Sequence, residues 1–116
     1  MRKYLIPAIA ILVLTGCDRM KNRILIRNDS ADTCPSITVA VCDSTWTTEN
    51  LAPGEQQEFT IVYSRDDHFQ VIVERNDGQT LEGHFGYVTH GVTGDQITIV
   101  FAGDSILFSQ SLNSSY

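Results

Sequence analysis

Positive charge is scarce in this sequence: eight Lys and Arg stand against fourteen Asp and Glu, for a net charge of −6. Nucleic-acid binding depends on Lys and Arg neutralising phosphates, so no nucleic-acid partner is expected. Proline is rare, with three residues, and the eight glycines follow no repeat, which excludes collagen-like and low-complexity chains. Long apolar runs are missing as well. The uncharged stretch Leu5 to Leu14 would span only ~15 Å as a helix, about half of a bilayer core, so it cannot remain as a membrane-crossing helix. Catalytic motifs are absent too. There is no Gly-x-Ser-x-Gly elbow, no phosphate-cradling glycine loop and no cysteine beside a candidate base, and paired carboxylates fall only in turn-like segments. A chain of 116 residues holds one domain, and nothing in it points to an enzyme.

What the sequence does contain begins with an address. Arg2 and Lys3 precede the short apolar run, the arrangement of a secretory signal peptide. The run ends in Leu14-Thr15-Gly16-Cys17, which resembles the lipobox of bacterial lipoproteins. That resemblance implies that the Cys17 thiol takes a diacylglycerol, that residues 1–16 are cleaved off, and that the new amine is acylated, so that palmitate-like chains form the anchor. Two or three acyl chains at ~0.8 kcal/mol per buried methylene hold a protein on a membrane far more firmly than one. Asp18 follows the anchor, and in enteric-type lipoproteins Asp there resembles the mark for inner-membrane retention, with the outer membrane as the alternative. The mature chain keeps six basic and fourteen acidic residues, a charge of −8. Of the six, Arg19, Lys21, Arg23 and Arg27 lie close to the anchor in sequence, where basic groups gain roughly 1 kcal/mol each from anionic headgroups. Residues 17–22 read as the lipidated cysteine and a short linker.

From Arg23 the apolar period is two. Ile24 and Ile26 alternate with Leu25 and Arg27; Ile37, Val39 and Val41 with Thr38, Ala40 and Cys42; Phe59, Ile61 and Tyr63 with Thr60 and Val62. Phe69-Val71-Val73, Leu81-Gly83-Phe85, Ile97-Ile99-Phe101 and Ile106-Phe108 continue the series, rich in β-branched and aromatic residues. Asn76-Asp77-Gly78-Gln79 predicts a hairpin, Gly103-Asp104 another, and Leu51-Ala52-Pro53-Gly54-Glu55 a turn. Seven or eight short strands over residues 23–109 predict an all-β, immunoglobulin-like antiparallel sandwich, with a small closed barrel as the alternative and residues 110–116 as a polar tail. The apolar–Pro-Gly-Glu–strand segment from Leu51 to Phe59 resembles inter-strand turns of bacterial immunoglobulin-like domains. Trp46 is expected in the core.

Two cysteines remain after Cys17. An oxidising periplasm favours a Cys34–Cys42 disulfide, yet a strand between them would hold their Cα atoms up to ~26 Å apart, far beyond the ~5.5–6 Å of a disulfide. The alternation through Ile37, Val39 and Val41 favours the strand. Asp66-Asp67-His68, with His84 and His90, is the densest set of metal-ligand types, but no pair has i,i+2 strand spacing and Asp66-Asp67 suits a turn, so no metal site is expected. No cofactor is expected apart from the covalent lipid on Cys17.

The segment Gly83 to Asp95 holds four glycines in thirteen residues and predicts a bulge or a close backbone approach. Its Tyr87, Thr89, His90 and Asp95 are the candidate partner-binding residues, because loops carry function in sandwiches and Tyr and His are amphipathic. Alternatively Tyr87 anchors the fold through its hydroxyl. The expected function is a non-catalytic, lipid-anchored envelope module that binds another envelope protein or polymer at the periplasmic face. Two further classes are an inhibitor of a lysozyme or protease and a metal-binding envelope protein. Small lipoprotein β-domains of the inhibitor class use a Ser-Gly-x-x-Tyr type of motif, which this chain lacks.

Overall fold

The structure is a computed structural model that describes residues 21–112. The signal peptide, the lipobox with Cys17, and residues 113–116 lie outside the described residues. Eight strands are present: β1 (Asn22–Asn28), β2 (Cys34–Val41), β3 (Ser44–Leu51), β4 (Gln56–Ile61), β5 (Asp67–Glu74), β6 (Thr80–Val88), β7 (Asp95–Phe101) and β8 (Ile106–Leu112). They form two four-stranded sheets, β4-β1-β7-β8 and β3-β2-β5-β6, packed as a sandwich and not closed into a barrel. The expected fold is therefore the one observed. One pairing departs from the antiparallel rule, since β1 runs parallel to β7, from Arg23↔Gln96 to Asn28↔Phe101.

Period-two alternation explains the core. Ile24 and Ile26, Ile37 and Val39, Phe69, Val71 and Val73, and Ile97 and Ile99 point inward and are fully buried. Each fully buried aliphatic or aromatic side chain contributes on the order of 1.5–3 kcal/mol, so these interleaved rows are the main stabilising element. Aromatic pairs close the two open sides of the sandwich. Trp46 of β3 stacks on Phe59 of β4 with centroids 5.8 Å apart, and Phe85 of β6 stacks on Phe108 of β8 at 5.3 Å with planes 8° apart. Trp46 is thus a half-buried lid on the core rather than a central residue.

Three boundaries differ from expectation. The domain starts at Asn22, which is fully buried and belongs to β1 rather than to the linker. At the other end, β8 runs past residue 109 to Leu112, because its backbone pairs with β7 as far as Asp95↔Leu112; the polar residues Ser109 to Ser111 are strand, not tail. Finally, the turn expected at Asp66-Asp67 does not close a hairpin, and Asp67 already belongs to β5. β4 and β5 belong to different sheets, so Val62–Asp66 crosses from one layer to the other.

Strand β3 carries no clear alternation, and the turn before it has no glycine. Cys42 and Asp43 both take positive φ, 52° and 64°, as a two-residue hairpin loop requires. Left-handed backbone costs an ordinary residue about 1–2 kcal/mol, and side chains around the turn offset it. The Cys42 amide donates to Asp67 Oδ2 at 2.8 Å, and Arg65 reaches Asp43 at 3.0 Å and Asp67 at 3.5 Å.

The glycine-rich stretch does contain a bulge. The β5–β6 register slips by one residue between Asp67↔Val88 and Phe69↔Phe85. Gly86 takes φ 66° there, and a Cβ on it would lie 2.7 Å from the Phe108 ring and 2.6 Å from Gln110 Oε1. Gly86→Ala is accordingly expected to destabilise the domain by about 2–3 kcal/mol, from backbone strain and displacement of Phe108 together. Urea midpoints of the two proteins measure it, and a loss under about 0.5 kcal/mol would mean that the bulge is not held there.

Candidate functional site

The bulge at Gly86 re-aims the end of β6 and leads into the β6–β7 loop, which meets three other segments at one end of the sandwich. These are the start of β1, the Val62–Asp66 crossover and, through Arg65 of that crossover, the Cys42-Asp43 turn. Asn22 joins them: its Nδ2 donates to the carbonyls of Val92 at 2.9 Å and Ile61 at 3.3 Å, and its Oδ1 accepts the Asp95 amide at 2.9 Å. Asp66 pins the loop from the crossover side. One of its oxygens accepts the His90 amide at 2.8 Å and the other accepts the Tyr87 hydroxyl at 3.2 Å. The Gly91 amide donates to the Tyr63 carbonyl at 3.1 Å, and the Val92 amide to the Thr89 carbonyl at 3.1 Å. The loop is therefore held in one shape by its own hydrogen bonds.

Of the expected contact residues, Tyr87, Thr89 and His90 are exposed, Tyr87 by 61%. Tyr87 presents an aromatic face while the Asp66 charge, followed by the hydrogen bond to it, raises its phenol above the ordinary tyrosine value. Asp95 is not a contact residue, and that expectation is corrected. Only 4% exposed, it accepts the Tyr63 hydroxyl and the Gln110 Nε2 on Oδ2, each at 2.8 Å. Gln110 also donates to the Tyr87 carbonyl at 2.8 Å and accepts its amide at 3.3 Å. The tyrosine that anchors the fold through its hydroxyl is thus Tyr63, whose phenol is pushed up by burial first and by the Asp95 hydrogen bond and charge next. The parts that Asn22, Tyr63, Asp66 and Gln110 play at this end do not show in the sequence, because these partners lie 23–73 residues away.

The cysteines settle as the strand reading requires. Cys34 and Cys42 sit at the two ends of β2, both buried and both free thiols, so the alternative disulfide is corrected: an extended strand keeps them apart. Burial raises the Cys34 thiol above its ordinary value, which makes it a poor nucleophile.

Beside this end, the outer face of the β3-β2-β5-β6 sheet carries polar groups. His68 and His84 meet there, with Nε2 of one 3.0 Å from Nδ1 of the other. Glu82 Oε2 lies 3.3 Å from His84 Nε2 and accepts Gln70 Nε2 at 2.8 Å. A polar cleft of about 310 Å³ opens next to His68, lined among others by Thr45, Arg65, Asp67 and Gln70. Backbone amides of Cys42 and then His68 hold the Asp67 carboxyl below the usual carboxylate range. Among the described residues no hydrogen bond joins His90 to this pair; its amide is held by Asp66. Among the described residues, no group of three or more His, Cys, Asp or Glu side chains converges as a metal cage.

The far end of the molecule is built differently. Buried Asn28 gathers the β1–β2 loop by bonding Asp32, Leu51 and Ser30, and Asp29, Asp32, Glu55, Asp77 and Asp104 make that end acidic. Arg27 is carried there by β1 and pairs with Asp29 at 2.8 Å, so it does not stay near the anchor as its sequence position suggested. No family model matches this chain, and no curated protein matches it. Among solved structures it is similar to an NMR structure of a protein from Eubacterium rectale, with a TM-score of 0.61 and 15% identity over 80% of this chain and 92% of that one; the likeness is one of fold.

Proposed function

We propose that this chain is a lipid-anchored envelope protein whose non-catalytic sandwich binds another envelope component at the membrane surface, through Tyr87, Thr89 and His90. The observation that carries the reading is the position of Cys17, five residues ahead of buried Asn22. Five extended residues reach at most ~18 Å. Asn22 bonds directly to Val92 of the β6–β7 loop, so the end that carries Tyr87 and His90 is the tethered end. A lipidated Cys17 would hold that loop within a short distance of the bilayer and turn the acidic far end away from it. The occupant of the loop is then a membrane protein's periplasmic face or an envelope polymer lying close to the membrane. Tyr87, exposed but hydrogen-bonded, offers the amphipathic contact such a partner uses.

Two variants test the proposal in the native envelope. Cys17→Ala is expected to move the protein from the membrane to the soluble fraction. The double variant Tyr87→Ala/His90→Ala, still folded by circular dichroism, is expected to lose its crosslinked partner. Retention of Cys17→Ala in membranes would remove the anchor, and unchanged crosslinking of the double variant would remove the loop.

A further inference from the structure

We infer that His68 and His84 form a two-imidazole binding site for a divalent ion of the copper(II) or nickel(II) type, on the outer face of the β3-β2-β5-β6 sheet. The pairing arises from strand geometry. β5 and β6 are antiparallel neighbours with Gln70 opposite His84, so His68, two residues before Gln70 on the same face, lies diagonally across from it. Both rings are about half exposed, tilted 45° to each other with centroids 5.1 Å apart.

The proton count at this pair leaves one position unmatched. Each neutral imidazole carries one N–H. Glu82 lies within hydrogen-bond range of His84 Nε2, which places the His84 proton there and makes Nδ1 an acceptor. His68 must then donate from Nε2 across the 3.0 Å gap. Its Nδ1 keeps a lone pair facing Asp67 Oδ1 at 3.6 Å, lone pair against carboxylate. A metal ion resolves the mismatch. It takes the lone pairs of His68 Nε2 and His84 Nδ1, the His68 proton moves to Nδ1 on the side of the Asp67 charge, and no proton is gained or lost. His84 then donates outward to Glu82, the arrangement that fixes the tautomer and raises the basicity of metal-binding histidines, and His68 turns its N–H toward a carboxylate 3.6 Å away.

Ligand number selects the metal class. Two imidazoles with no third protein ligand among the described residues suit a tetragonal copper(II) or nickel(II) ion, whose other positions water can fill, rather than zinc, whose protein sites use three or four protein ligands. Rotation of the two exposed rings about their terminal torsions turns the lone pairs from head-on to convergent, and such torsions are soft. The outer groups are themselves held: Gln70 ties Glu82, and the Cys42 amide ties Asp67. The remaining coordination positions open to solvent and to the cleft beside His68, so the ion exchanges freely and leaves room for a ligand from a partner.

The full chain in detergent, titrated with Cu²⁺ and separately with Ni²⁺ near pH 7.5, decides the matter. One ion per chain is expected by calorimetry, weakened by at least about tenfold in His68→Gln or His84→Gln and by about tenfold in Glu82→Gln. The Cu²⁺ electron paramagnetic resonance spectrum of the unaltered protein should show two equatorial imidazole nitrogens, a readout that requires no variant to fold. The absence of saturable binding would overturn the site. So would a spectrum with fewer than two imidazoles, or unchanged binding in the folded His68→Gln/His84→Gln double variant.

Discussion

Replacing Phe69 by alanine is expected to remove about 3–5 kcal/mol of stability. Phe69 is fully buried in β5, its ring edge-on to Tyr63 at 6.5 Å and tilted against Phe108 at 5.6 Å. Truncation forfeits the transfer free energy of the ring and leaves a cavity between the two sheets that collapses only in part, because the neighbouring inward-facing side chains hold the sheets apart. The damage also spreads sideways. Phe108 stacks on Phe85, so the open side between β6 and β8 loses its backing. Domains of this size have roughly 5–15 kcal/mol in total, and Phe69→Ala should therefore unfold at a far lower urea concentration. Phe69→Leu keeps most of the volume and should cost under about 2 kcal/mol. A Phe69→Ala loss below about 1 kcal/mol would mean that the two sheets do not pack through this residue.

Alternation made Phe69 legible as a core residue, as it did Ile24, Ile37, Val71 and Ile99, because sheet geometry is local: every second residue shares a face. Turns were legible where they use the expected chemistry. Gly78 closes the β5–β6 hairpin with φ 84°, and the glycine density around Gly86 announced the bulge. Strand β3 was not legible. Its turn is made of Cys42 and Asp43, without the glycine that marks such a turn, and Asp67 and Arg65 support it from 22 or more residues away. The candidate site divides along the same line. Tyr87, Thr89 and His90 stood out by residue type and glycine context, whereas the groups that shape their loop act through contacts that a one-dimensional pattern does not carry. Asp95 was misread for that reason. A carboxylate after a glycine in a loop looks solvated until Tyr63 and Gln110 arrive from other strands. The His68–His84 pair lay in between: the hairpin at Asp77 implied that β5 and β6 run side by side, but only the register, with Gln70 opposite His84, makes the two rings diagonal neighbours.

Asp95 supplies the second large effect. Asp95→Ala is expected to cost about 3 kcal/mol, since hydrogen bonds to a charged group contribute about 1.5–3 kcal/mol and their loss leaves the buried Tyr63 hydroxyl without its acceptor. Asp95→Asn keeps an oxygen in place and should cost about half as much. Tyr63→Phe alone removes one donor and should cost about 1–2 kcal/mol, and the double variant should fall short of the sum of the singles by about 1 kcal/mol or more, because both changes break the same bond. Additive costs would show that the two residues do not share it. The pH dependence carries its own sign. Burial and then Asp95 raise the Tyr63 phenol above its unfolded value. The neutral form is the one favoured in the folded state, so this stabilisation is complete below about pH 10 and is lost as pH rises beyond it, with a slope of up to about 1.4 kcal/mol per pH unit. Alkaline unfolding followed at 295 nm should show the Tyr63 phenol ionising only as the domain opens. Tyr63→Phe should remove that component of the pH slope while lowering stability at neutral pH. If Tyr63 instead ionises near pH 10 with the domain still folded, the hydroxyl is not buried against Asp95, and the contact that shapes the tethered end is lost with it.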